Sequence, residues 1–127
     1  MLKKEIPKEV AGDVFDRQRC IPGWNQEFVE NQRCMVFGAG AIGCSIALCL
    51  ARLGVSKIYL VDRDVVEASN LNRQILFARS DIGRKKVEAA ADTLRRYHVI
   101  SDHTQVIPIH FEESSHCVEE GSCAVML

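Results

Sequence analysis

The sequence predicts an α/β fold of three layers, a mainly parallel sheet between helices, and three observations carry that prediction. A short apolar run, Cys34-Met35-Val36-Phe37, feeds the glycine turn Gly38-Ala39-Gly40-Ala41-Ile42-Gly43. Helical spacing follows at once, with apolar Ile42, Ile46, Leu50 and Leu53 on one stripe and Gly54 where a helix stops. A second apolar run, Ile58-Tyr59-Leu60-Val61, then ends on Asp62, about twenty residues beyond the glycines. Strand, G-x-G-x-x-G, helix, strand and acid in this order make a mononucleotide-binding βαβ unit, so the fold is Rossmann-like. The unbroken apolar character of the second run fits a strand covered on both faces, as in a parallel sheet.

Before this unit, residues 1–32 read as an N-terminal arm with short helices, and residues 33–127 as the partial Rossmann-like domain. Pro7, Gly12 and Pro22-Gly23 punctuate the arm, leaving room for a helical turn at Val14 to Gln18. Trp24 to Val29 forms a second short helix with Asn25 as its N-cap, and Trp24, Phe28 and Val29 are the expected anchors onto the main body. Past Asp62-Arg63-Asp64 comes a polar loop carrying Asn70, Asn72, Arg73 and Gln74. Ser80-Asp81 starts another helix, with Arg84 to Tyr97 as its body and Val87, Ala91 and Leu94 as its apolar stripe. Basic residues crowd its first turn at Arg84, Lys85 and Lys86, against the helix dipole, and a bound anion is one reason for them. A solvated lysine-rich face is the other.

Thr104 to Ile109 reads as a third strand, and Pro108 within it argues for an edge position. Ser114 to Glu120 reads as a short helix, and Cys123 to Leu127 as the first residues of a fourth strand. The sheet therefore looks truncated near that strand, which would leave the first strand as an exposed apolar edge. On this expectation the chain is the front half of a longer protein or needs a partner.

Composition removes several functions. With 47% hydrophobic residues in 127, the chain has material for one core and one domain. Lys plus Arg 16 against Asp plus Glu 17 leaves a net charge of -1, which gives no footprint for nucleic acid or an acidic membrane. No run is long enough to span a bilayer, and the start lacks the apolar core of a signal peptide. Six cysteines are dispersed without C-x-x-C spacing, and the four histidines share no periodicity, so no metal site is expected. A cytoplasmic setting follows as the default.

The chemistry sits in the glycine unit and the loop behind it. Gly38 suits the tight turn, Gly40 lets a phosphate approach the backbone, and Gly43 lets helix pack on strand. Asp62 is placed to accept hydrogen bonds from ribose hydroxyls. An arginine-bearing loop just beyond that acid is not something a simple dinucleotide half requires. Arg17, out on the arm, reads either as a solvated surface residue or as a phosphate-reaching finger, since its guanidinium is a planar, permanently charged donor.

Taken together, Gly38 to Gly43, Asp62-Arg63-Asp64, Asn70-Leu71-Asn72-Arg73-Gln74 and Asp81-Ile82-Gly83-Arg84-Lys85-Lys86-Val87 resemble the ThiF/MoeB superfamily, from about Phe15 to Ile109. The resemblance implies an ATP-dependent adenylyltransferase that uses MgATP to activate the C-terminal glycine of a ubiquitin-like or sulfur-carrier protein. It implies nucleotide contacts from Gly38, Gly40, Ala41, Gly43, Asp62, Asp64, Asn70, Arg73, Gln74 and Lys86, with ATP and Mg2+ as cofactors. Arg73, Lys86 and Arg17 would be the catalytic charges, Arg17 reaching the opposite subunit of a homodimer or heterodimer. The superfamily's second, magnesium-organising aspartate, its catalytic cysteine and its paired C-x-x-C zinc ligands have no match in these residues. Two other readings remain open from the sequence. One is a non-catalytic scaffold or partner subunit, and the other is a fragment of an NAD-dependent oxidoreductase, since the glycine turn and Asp62 suit NAD equally well.

Overall fold

The computed structural model describes residues 12–111, together with the backbone of residues 123–126. Short helices α1 (Asp16–Arg19) and α2 (Gln26–Glu30) lead into β1 (Arg33–Phe37), α3 (Ala41–Leu53) and β2 (Lys57–Asp62). Two 3₁₀ turns, Ala68–Asn70 and Arg79–Asp81, precede α4 (Lys86–Thr93), which runs on as a π turn at Leu94–His98. The chain then forms β3 (Gln105–His110) and β4 (Cys123–Met126). All pairings are parallel and the sheet order is β3-β2-β1-β4. Expected helix Ser114 to Glu120 lies outside the described residues.

Strand periodicity divides the core. Cys34, Val36, Ile58, Leu60 and Val106 point to one face, where Cys44, Ala47 and Ala51 of α3 and Val87, Ala90 and Ala91 of α4 meet them. Met35, Tyr59 and Val61 point the other way, with Phe37, Ile107 and Ile109 beside them. Ile58 to Val61 are buried throughout, as a two-sided strand requires. Pro108 pairs with Leu60 on the edge strand β3, where its missing N–H costs no ladder bond.

Four expectations are corrected. The stripe of α3 that faces the sheet is Gly43, Cys44, Ala47 and Ala51, not the larger Ile42, Ile46, Leu50 and Leu53. Small side chains let the helix lie close on the strands, and Ile42 is left 64% exposed. Phe28 is likewise exposed, and the arm is fixed by Phe15 and Gln26, both buried. Gln26 donates to the Leu53 carbonyl at 3.0 Å while its own oxygen accepts from Trp24 Nε1 at 3.0 Å, so the polar residue satisfies the open end of α3. Asn25 does cap α2, accepting from the Phe28 amide at 3.0 Å.

Third, β1 is no exposed edge, because β4 pairs with it from Cys34↔Cys123 to Phe37↔Met126. The fourth correction concerns Arg84, which lies before α4 and donates to Asp81 at 2.9 Å and Asp92 at 2.5 Å. Its charge is neutralised by the protein's own carboxylates. Val87, Ala91 and Leu94 are fully buried as expected.

Candidate functional site

The C-terminal ends of β1, β2 and β3 meet at one edge of the sheet, where the order passes from β2 to β1 to β4. Gly38 leaves β1 with φ 94, a left-handed angle suited to glycine, and its amide donates to the Val61 carbonyl at 2.8 Å. Ala39 follows with its amide on Asp62 Oδ2 at 2.6 Å, and the Asp64 amide donates to Asp62 Oδ1 at 2.7 Å. Asp62 thus ties the glycine turn to the loop after β2, and each carboxylate oxygen keeps a second lone pair for a ligand hydroxyl.

Gly40 is the N-cap of α3 and carries no side-chain cap. Its φ of -85 is open to any residue, yet a Cβ there would meet no protein atom within 4 Å. The space beside it is therefore open, and the first amides of a helix of 13 residues face it. Buried Gly43 and Cys44 lie behind. Burial pushes the Cys44 thiol up to about 11, opposed by a hydrogen bond with the Leu76 backbone and by the positive charge of Lys86.

Two clefts flank Asp64. One of about 360 Å³ is lined by Phe37, Gly38, Val61, Asp62, Arg63, Asp64 and Phe111, and so has aromatic walls and a carboxylate end. The other, of about 220 Å³, is polar and lined by Asp64, Val65, Glu67, Asn70 and Lys86. The Lys86 side chain is 9% exposed, with Nζ 3.8 Å from Asp64 Oδ2. Asn70 is buried and accepts from the Glu67 amide at 2.9 Å, closing the 3₁₀ turn on that wall.

The remaining expected residues are placed elsewhere. Arg73 lies by the first turns of α3, in a groove with Ala41, Ile42, Ser45, Ile46, Cys49 and Leu50, and donates to the Ser69 carbonyl at 2.8 Å and to Asn72 Oδ1 at 3.0 Å. That groove runs along α3 from Ala41, and Lys86 does not line it. Gln74 is buried, and its Oε1 has no hydrogen-bond partner. Exposed Arg17 follows Phe15, which packs against Gly54 at the far end of α3. That helix is roughly 20 Å long, so Arg17 does not share the site of its own chain. Sequence reasoning missed Phe37, Phe111 and Glu67 as cleft residues. The two-residue period that puts Val61, Ile109 and Phe111 on one face could have found Phe111.

The family profile described as "ThiF family" matches residues 15–115. The chain belongs to the ThiF family. It is 44% identical over 72 residues to the NEDD8-activating enzyme E1 catalytic subunit of Caenorhabditis elegans, covering 56% of this chain and 17% of that one. Against the molybdopterin-synthase adenylyltransferase of Escherichia coli K12 it is 35% identical over 99 residues, covering 76% and 39%. Among solved structures, E. coli MccB with ATP superposes with a TM-score of 0.60 at 33% identity, over 71% of this chain and 26% of the other. MccB in complex with N-formylated MccA gives a TM-score of 0.62 at 31% identity, over 71% and 25%. The chain spans well under half the length of these relatives. Both adenylyltransferase kinship and the Rossmann-like α/β fold are thereby shown.

Proposed function

We propose that this chain forms the ATP-binding half of an adenylation site that activates the C-terminal carboxylate of a ubiquitin-like or sulfur-carrier protein. The observation that carries the proposal is the open space at Gly40, where backbone angles need no glycine and no protein atom would meet a side chain. A ligand approaching the backbone gives that glycine a purpose beyond its place as the N-cap of α3. Phosphate at the α3 N-terminus, ribose on Asp62 and base between Phe37 and Phe111 fill the space and the aromatic cleft together. Kinship with the two activating enzymes and the similarity to MccB with ATP support the same assignment.

In the proposed reaction the carrier carboxylate attacks the α-phosphorus, the bond to the bridging oxygen breaks, and pyrophosphate departs with the electron pair. No proton transfer is needed. Charge neutralisation on the leaving group is needed, and Lys86 from the polar cleft and Arg73 from the groove that begins at Ala41 supply it. The proposal takes magnesium as MgATP, arriving with the nucleotide. The proposal makes the protein cytoplasmic and dimeric, as a homodimer or heterodimer, with Arg17 serving a partner's site.

Thermal unfolding of the chain alone, with MgATP and with NAD tests the nucleotide assignment. MgATP at a hundredfold excess over its dissociation constant should add about 2.7 kcal/mol of stability, with no rise for NAD. An equal rise with NAD, or none with MgATP, would overturn the proposal.

A further inference from the structure

The polar cleft sets one lysine beside the carboxylate of Asp64. Lys86 carries a nearly buried ammonium, 9% exposed, whereas the Asp64 carboxylate 3.8 Å away is 62% exposed. A buried cation cannot be left without an anion, but an exposed carboxylate is readily solvated. The dependence is one-sided: Lys86 needs Asp64 more than Asp64 needs Lys86. Backbone bonds hold the two together independently of their charges. The Lys86 amide donates to the Asp64 carbonyl at 3.0 Å, Val65 bridges Lys85, and the Val66 amide donates to the Arg84 carbonyl at 2.8 Å. Asp64 can therefore swing away from the ammonium and remain next to it.

We infer that Asp64 is a positioning residue for Lys86, an internal stand-in for phosphate that holds the ammonium in the cleft until a polyphosphate displaces it. The inference rests on the nucleotide-binding proposal above. Asp64 lines both the aromatic cleft and the polar one, so its release moves a negative charge off the path between them. Glu67 lines the same polar cleft without pairing to Lys86; it accepts from the Ser69 hydroxyl at 3.4 Å and closes the turn with Asn70. It is the natural control, since Glu67→Gln removes one charge from the cleft and leaves the Lys86 pair intact.

The test compares the full chain with its Asp64→Asn and Glu67→Gln variants, using tripolyphosphate and ATP as ligands and adenosine as a phosphate-free probe. The Asp64 side of the pair is 62% exposed and screened by solvent, so Asp64→Asn should tighten tripolyphosphate and ATP by about threefold to fivefold. Adenosine affinity should change by less than the polyphosphate gain, since Asp64 only lines the edge of a cleft it shares with six other residues. Acylation of Lys86 without ligand, followed by mass spectrometry, should be faster in Asp64→Asn than in Glu67→Gln, and tripolyphosphate should protect it in all three proteins. An equal gain in Glu67→Gln would reduce the effect to general charge repulsion and overturn the stand-in role. Weaker polyphosphate binding by Asp64→Asn would overturn it too, making Asp64 a fixed support. Polyphosphate binding indifferent to Asp64 overturns this inference and leaves the nucleotide proposal standing, whereas no polyphosphate binding by any variant overturns both.

Discussion

Glycines that share a motif are held there by different forces, and substitution separates them. At Gly38 the backbone demands the residue, with φ 94. Gly40 is different, because φ -85 suits any residue and a Cβ would touch nothing in the protein. Gly40→Ala should therefore fold normally, losing at most about 1 kcal/mol as a poorer N-cap, while MgATP affinity falls at least tenfold as the methyl enters the proposed phosphate space. Chemical unfolding and ligand titration on the same sample would check both halves. A stability loss without an affinity loss would return Gly40 to a structural role. Asp62 gives the complementary lesson: its carboxylate is already engaged by the amides of Ala39 and Asp64, so it builds the turn whether or not a ribose, as proposed, takes its remaining lone pairs.

Among the elements, α3 shows how a helix is fixed at its C-terminal end by a residue from the arm. Gly54 terminates it at φ 82, and a Cβ there would come within 2.5 Å of the Phe15 ring. Gly54→Ala combines left-handed strain with overpacking of a buried aromatic, and should cost about 2–4 kcal/mol in denaturant unfolding. A loss below about 1 kcal/mol would mean that Phe15 moves freely aside. Here the limits of sequence reading are visible in physical terms. The strands, Gly54 as helix stop, Asn25 as cap and the edge position of Pro108 were legible because each depends on its own chemistry or a local period. The buried face of α3 was not, since hydrophobicity favours Ile42, Ile46 and Leu50 whereas the sheet accepts only small residues at close approach. Gln26 rather than the expected Phe28 anchors the arm for a similar reason: the open carbonyl of Leu53 selects a donor over an aromatic. In the site, the residue types and their order were legible. That Arg73 lies in the groove beside α3, and that Lys86 rests on Asp64, depends on side-chain placement that spacing does not encode.

For the molecule as a whole, the position of Arg17 is a constraint on assembly. Its neighbour Phe15 lies at the Gly54 end of α3, while the glycine turn is at the Gly40 end, roughly 20 Å of helix away. A guanidinium so placed can act on a nucleotide only if that nucleotide belongs to another copy or a related subunit, and a closed dimer makes such an exchange reciprocal. Complementation tests this. Arg17→Ala and Lys86→Ala should each weaken MgATP binding when pure. After mixing under conditions that allow subunits to exchange, the Arg17→Ala copy keeps its lysine and receives an arginine from the Lys86→Ala copy. Random pairing makes half the dimers mixed, each with one intact site in two, so tight sites should return to about a quarter of the parent number. Recovery near that fraction in a titration would establish a site shared between copies. No recovery, with exchange confirmed by differently tagged subunits, would make Arg17 a surface residue and leave Lys86 and Arg73 as the phosphate charges of a site built within one chain.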